Sequence, residues 1–215
     1  YIYSMKKLVF CLLLLTQFVY SQQVDTVVTN SVFTSYYSFV TNNPVIVTYT
    51  LNYINGDCDR SKYDFRDTSK IFCDESFVGS GFDRGHLCNA EDVSTDCEKV
   101  KLTFSYFNCS PQVPFCNRSS WKRLENQVRF LATEKNVLVI NGVFTEESKK
   151  LNCMTVPSGY YKIVVDQTTN KIILCSAVWN NTYSPPYMTS ILGIMTKVDK
   201  QHKILLNAIL SNVIR

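Results

Sequence analysis

The sequence predicts a mixed α+β fold, and three observations carry that prediction. Val45-Ile46-Val47-Thr48-Tyr49-Thr50-Leu51 is rich in β-branched residues and bounded by Asn43-Pro44 and Asn55-Gly56, so it reads as a strand. Tyr160 to Val165 and Lys171 to Trp179 flank the polar stretch Asp166-Gln167-Thr168-Thr169-Asn170 and read as a β-hairpin. Trp121 to Ala132 places apolar residues at 121, 124, 128 and 131, the spacing of one helix face.

Taken in order, residues 1–4 precede Met5 and read as upstream sequence outside the domain. Lys6 and Lys7, the apolar run Leu8 to Val19, and Ser21 form a signal peptide over residues 5–21, with cleavage expected before Gln22. The apolar run is too short to span a bilayer, and no later segment reaches spanning length. After the strand at 45–51 comes a polar, cysteine-bearing stretch to Ser80. Val137 to Ile140 predicts a short buried strand, with Asn141-Gly142 as the turn that ends it. The tail from Ile191 to Ile214 reads as helical. There is no repeat, low-complexity run or linker, so residues 22–215 are expected to form a single domain.

Composition sets the outer bounds. With 46% hydrophobic and 19% charged residues over 215 positions, the chain cannot be a disordered protein. Seven Gly and six Pro exclude a collagenous or linker-dominated one. Removing Lys6 and Lys7 with the signal segment takes two charges from the net +4, which weakens charge as a pointer to an anionic partner. Losing Cys11 leaves eight of the nine cysteines, and an even count behind an export signal points to disulfides. Zinc held by His86, Cys88 and Cys97 is the rival use of these residues, although no regular C-x-x-C pair occurs.

Chemistry concentrates in two segments. In Phe82-Asp83-Arg84-Gly85-His86-Leu87, His86 is the natural proton acceptor at neutral pH, Arg84 is suited to phosphate, and Asp83 is placed to hold the backbone or Arg84. The second segment runs through Asn108-Cys109-Ser110-Pro111-Gln112 to Asn117-Arg118-Ser119-Ser120-Trp121 and on to Glu125 and Arg129. At ~100° per residue Asn117 falls on the helix face of Trp121, Leu124 and Val128. There it is either a helix N-cap or an amide oxygen offered to a hard cation. Glu125 and Arg129 lie four apart, as a surface pair or as site residues.

Together, Asp83-Arg84-Gly85-His86, Asn108-x-x-Pro111-Gln112, Asn117, Trp121, Leu124-Glu125 and Arg129 resemble, in order and spacing, the DNA/RNA non-specific endonucleases of the ββα-metal (His-Me finger) class. Weaker likeness extends to Thr48-Tyr49-Thr50-Leu51, Val137 to Gly142, Val156-Pro157 and Leu192-Gly193-Ile194, covering most of residues 22–215. The resemblance implies a mainly antiparallel sheet with a ββα-metal finger at the active site. It implies that His86 is the general base and that Asn117 is the single direct protein ligand of Mg²⁺, for which Mn²⁺ can substitute. Glu125 would hold metal-bound water, Arg84 and Arg129 would neutralise phosphate charge, and Asp83, Asn108 and Gln112 would support the site. The metal would polarise the phosphate and stabilise the departing 3′ oxygen. The implied activity is a secreted endonuclease, periplasmic in a bacterium, that cuts DNA and RNA with little sequence preference. It would leave 5′-phosphate ends and make no stable membrane association. The alternative is a secreted nucleic-acid-binding protein that keeps the fold without turnover.

Relatives often carry Ala-Pro after the His-Leu pair, whereas Cys88-Asn89-Ala90 stands here, with Cys88 read as a disulfide partner. Relatives also often place an arginine upstream of the core motif. Arg60, Lys62 and Arg66 compete for that role, and Arg66 is preferred. Lys99, Lys101, Arg118, Lys122 and Arg123 read as solvated surface charge that could face nucleic acid. Asn108, Asn117 and Asn180 head formal glycosylation sequons, with Asn180 the plausible acceptor, and His202 reads as a surface residue.

Overall fold

The computed structural model describes residues 24–65, 72, 74–146 and 148–214. The segment 5–21 read as a signal peptide, Cys73 and Arg66 lie outside them. A central antiparallel sheet is built from β1 (Thr26–Thr29), β2 (Thr34–Ser38), β3 (Asn43–Leu51), β6 (Val137–Phe144), β9 (Gly159–Asp166), β10 (Lys171–Trp179) and β11 (Tyr187–Met188), in the spatial order 1-2-3-6-9-10-11. Two small antiparallel pairs stand outside it. They are β4 (Asp83–His86) with β5 (Cys109–Gln112), and β7 (Lys149–Leu151) with β8 (Met154–Val156). The helices are α1 (Cys97–Thr103), α2 (Lys122–Ala132), α3 (Ile191–Met195) and α4 (Lys200–Val213).

Alternation along the strands feeds two cores, one on each face of the sheet. Val47, Tyr49, Val139 and Val164 pack on the face that receives Trp121, Leu124, Val128 and Ala132 from the α2 region. Ile46, Ile140, Tyr161 and Ile163 pack on the opposite face against Ile194, Val198, Leu206 and Leu210. The turn and helix around Trp121 to Ala132 therefore ride on one side of the sheet and the carboxy-terminal helices close the other. Among the described residues, no helix is long and apolar enough to cross a membrane.

Several expectations are corrected. Asn141-Gly142 is not a turn, because β6 continues through it to Phe144 with Gly142 paired to Tyr161. A Cβ on Gly142 would lie 2.2 Å from the Tyr161 ring, so glycine serves close cross-strand packing there. The tail is two helices, because the Asp199 side chain accepts from the His202 amide and starts α4 afresh after α3 ends. Only some cysteines are oxidised. Cys58 and Cys97 are bonded, and Cys153 is also in a disulfide, whereas Cys88, Cys109, Cys116 and Cys175 are buried thiols. In cores of this size a thiol packs as a small apolar group. With Cys97 oxidised, zinc on His86, Cys88 and Cys97 is not available. Asn180 is no open glycan acceptor either. Its Nδ2 donates to the carbonyls of Pro111 and Pro157, and its Oδ1 accepts from the Val113 amide.

His202 is fully buried rather than on the surface, with Nε2 2.7 Å from the Tyr161 hydroxyl. Burial lowers its pKa from 6.5 to about 4. The unfolded chain therefore takes up a proton below pH 6.5 that the folded chain refuses until about pH 4. Stability from this group is intact above pH 6.5 and is lost as pH falls through that window, by about 3 kcal/mol in all. In urea unfolding between pH 7.5 and 4, His202→Gln is expected to flatten the acid decline relative to wild type. An unchanged decline would show that His202 does not contribute to it.

Candidate active site

The finger begins with the β4–β5 pair, in which Asp83 faces Gln112, Gly85 faces Ser110 and His86 faces Cys109. The glycine of the motif is a packing requirement, since a Cβ on Gly85 would meet the Gln112 side chain at 2.2 Å. Asn108 sits behind the strand, fully buried. Its Oδ1 accepts from the Cys88 amide at 2.6 Å and its Nδ2 donates to the carbonyls of Cys88 and Thr103. It shapes the loop after His86 and does not enter the cleft. Gln112 is likewise buried behind the site, with neither side-chain polar atom hydrogen-bonded among the described residues.

His86 stands at the floor of an open cleft of ≈ 800 Å³, which Arg60, Asn117, Glu125 and Arg129 also line. Its ring is half-buried between Phe65 and Phe104, at centroid distances of 4.6 and 4.7 Å. Nε2 is shielded and has no hydrogen-bond partner among the described residues. Burial, with the nearby Arg60 charge, pushes the imidazole pKa down to about 3, so it is neutral and able to accept a proton at pH 7. The backbone beside it is clamped from two directions. Trp121 Nε1 donates to the His86 carbonyl at 3.2 Å, and Asn141 Nδ2 donates to the Leu87 carbonyl at 2.6 Å.

Residues 116–121 form a wide π-helical turn ahead of α2. The extra residue per turn rotates Asn117 off the Trp121–Leu124–Val128 face predicted for it and leaves it lining the cleft. It is not an N-cap. Its Nδ2 donates to Asp83 Oδ2 at 2.9 Å, which leaves Oδ1 without a hydrogen bond among the described residues. Asp83 thus holds Asn117, and also Arg118 at 2.5 Å, rather than Arg84. Glu125 is buried, and burial raises its pKa. The oxygen atoms of Asn117 and Glu125 are the hard donors that Mg²⁺ selects, so these residues fit that ion.

The predicted phosphate-binding arginines are already paired. Arg84 Nε donates to Asp74 Oδ1 and to the Tyr106 hydroxyl, each at 2.9 Å, and its guanidinium lies over Phe77. Arg129 donates to Asp92 Oδ1 at 2.8 Å and to Asn126. Both border the cleft, but as neutralised pairs. Arg60 and Lys122 line the same cleft with no ion pair among the described residues, and among those residues Arg60 is the upstream arginine that lines it. Arg118 also lines it, while Lys99 and Arg123 are exposed elsewhere.

Beneath the cleft lies a cluster that sequence reasoning missed. Lys162, fully buried, points from β9 to the ring of Trp121 at 4.2 Å and donates to Asn141 Oδ1 at 2.8 Å. Both of its partners are those that clamp the His86–Leu87 backbone. Asp92, Glu125, Arg129 and Lys162 form a buried group of two carboxylates and two cations. Its visible signal was a lysine in the middle of an apolar strand.

A sequence model of the DNA/RNA non-specific endonuclease family matches residues 14–197. The human mitochondrial endonuclease G is 31% identical over 131 residues, spanning 52% of this chain and 44% of that protein. A nuclease of Nostoc sp. is 36% identical over 91 residues, 41% of this chain and 33% of its own length. The chain thus spans less than half the length of these relatives. The structure of the EndoG/EndoGI complex matches with a TM-score of 0.68 at 24% identity, covering 82% of this chain and 84% of that one, a likeness of fold.

Proposed function

Because the chain belongs to the DNA/RNA non-specific endonuclease family, we propose that its cleft hydrolyses phosphodiester bonds of both DNA and RNA with Mg²⁺ and leaves 5′-phosphate ends. The observation that carries this reading is a neutral His86, in one cleft with the amide oxygen of Asn117 and the carboxylate of Glu125, where neither His86 Nε2 nor Asn117 Oδ1 has a hydrogen-bond partner among the described residues. His86 takes the proton from the attacking water, its imidazole being in the neutral, proton-accepting form at neutral pH. Asn117 would hold the ion directly and Glu125 through water, with Asp83 fixing the amide so that oxygen and not nitrogen is offered. The ion, when bound, supplies Lewis-acid polarisation of the phosphate. Arg60 and Lys122 neutralise the backbone charge. Contacts of this kind address phosphate and sugar, which supports weak sequence preference.

Export is the favoured destination. The basic-apolar segment at 5–21 supports it, as does the Cys58–Cys97 disulfide, since such bonds persist in oxidising compartments. Amino-terminal sequencing of the mature protein should then begin at Gln22.

The test of activity is digestion of plasmid DNA and of RNA with Mg²⁺, with Mn²⁺ and with EDTA. Both substrates are expected to be cut with either metal, the ends to be ligatable 5′-phosphates, and chelation to stop cutting. A folded, metal-loaded protein that cuts neither would instead favour the binding reading.

A further inference from the structure

Beyond the catalytic cleft, a second concavity of ≈ 470 Å³ is lined by Lys62, Tyr63, Asp64, Lys101 and Phe104. It adjoins the first, since Asp64 and Phe104 line both. The Phe104 ring lies 4.7 Å from the His86 ring and 5.9 Å from the Tyr63 ring, centroid to centroid. An aromatic path therefore leads outward from the base. Its walls come from two chain segments, the turn Arg60–Lys62 with Tyr63, and the end of α1 with Phe104. The Cys58–Cys97 disulfide joins the chain just ahead of the first segment to the start of α1, and the Cys58 amide donates to the Ser94 carbonyl. Lys62 and Lys101 have no ion pair among the described residues. The Asp64 carboxylate accepts from the Phe65 amide at 2.8 Å.

We propose that this disulfide-braced groove is a subsite for one unpaired nucleotide adjoining the bond to be cut, its base stacked on Tyr63 and its phosphate between Lys62 and Lys101. The inference rests on the nuclease reading of the cleft and names the form of substrate that the cleft prefers. Aromatic faces accept any base but only an unstacked one, so the groove selects single strands over duplex. Asp64 repels phosphate at the junction and offers an acceptor to base or sugar donors, which places the base there and the phosphate further out, between the lysines. The disulfide keeps the two walls at fixed spacing.

The test is fluorescence anisotropy with labelled single-stranded oligothymidine and a labelled duplex, the metal chelated so that neither is cut. Tyr63→Ala is expected to weaken single-strand binding by about 5- to 100-fold, as loss of one stacked base does. Tyr63→Phe should retain it and duplex affinity should not move. The double substitution Lys62→Ala/Lys101→Ala removes one phosphate contact and should reduce the slope of log affinity against log salt by about 0.7 for the single strand. Equal losses on single strand and duplex, or no loss with Tyr63→Ala, would overturn the proposal. These readings do not depend on turnover. A protein that binds as expected yet cuts nothing refutes the hydrolytic reading alone, and one that cuts normally while Tyr63→Ala binds like wild type refutes the subsite alone. Circular dichroism of each variant, unchanged from wild type, excludes a folding defect as the cause of a loss.

Discussion

Replacing His86 with alanine is expected to lower kcat/KM on both DNA and RNA by about 10²- to 10⁴-fold, the usual contribution of a positioned general base. The ring sits between Phe65 and Phe104 with its Nε2 unpartnered among the described residues, so removing it takes away the proton acceptor and leaves the oxygen donors of Asn117 and Glu125 in place. Single-strand binding should therefore survive the substitution while turnover does not. The pH profile gives an independent check. Water is activated only by the neutral imidazole, so rate rises with pH through the His86 pKa and is flat above it. With that pKa lowered to about 3, the acid limb of kcat/KM that disappears in the variant should lie well below pH 6.5. Undiminished cleavage by the alanine variant, or an acid limb that persists in it, would remove His86 from the role.

The second large effect is expected at Lys162. Its ammonium is fully buried, donates to Asn141 and lies over Trp121, and it is the main charge opposing the rise in the Glu125 pKa. Burial lowers its own pKa to about 8, so it remains mostly charged at neutral pH. Lys162→Ala leaves two carboxylates facing one cation and a cavity under Trp121. A loss of about 3–5 kcal/mol in urea unfolding is expected, as when one partner of a buried ion pair is deleted. Lys162→Met fills the volume but not the charge and should recover part of that loss. Because Asn141 and Trp121 also hold the Leu87 and His86 carbonyls, the methionine variant should retain substrate affinity and lose kcat. A cost below about 1 kcal/mol for the alanine variant would contradict the cluster as described.

Several features were readable from local sequence. The strand at 45–51, the hairpin around residues 166–170 and the helix over 121–132 announce themselves by period and by the residues that bound them, and the structure contains all three. The two motifs were readable as well, because their residues fall on short local elements, β4, the turn into β5, β5 itself, and the π-helical turn that runs into α2. Not readable was anything that depends on partners far apart in sequence. Asp83 alone does not reveal that it serves Asn117, 34 residues on, nor Arg84 that Asp74 and Tyr106 occupy it. The even cysteine count suggested oxidation, but burial among apolar side chains keeps four of them as thiols.

The sequence by itself determined the fold class and, through its two motifs, the family, and it named His86 and Asn117 as the expected base and metal ligand, since periodicity and motif spacing are local properties of a chain. Only the tertiary structure decided which cations remain free for phosphate, how a wide turn swings Asn117 into the cleft, and why a lysine and a histidine lie in the core. Those outcomes depend on burial and on charge pairing, and both are set by residues that folding, and not chain order, brings together.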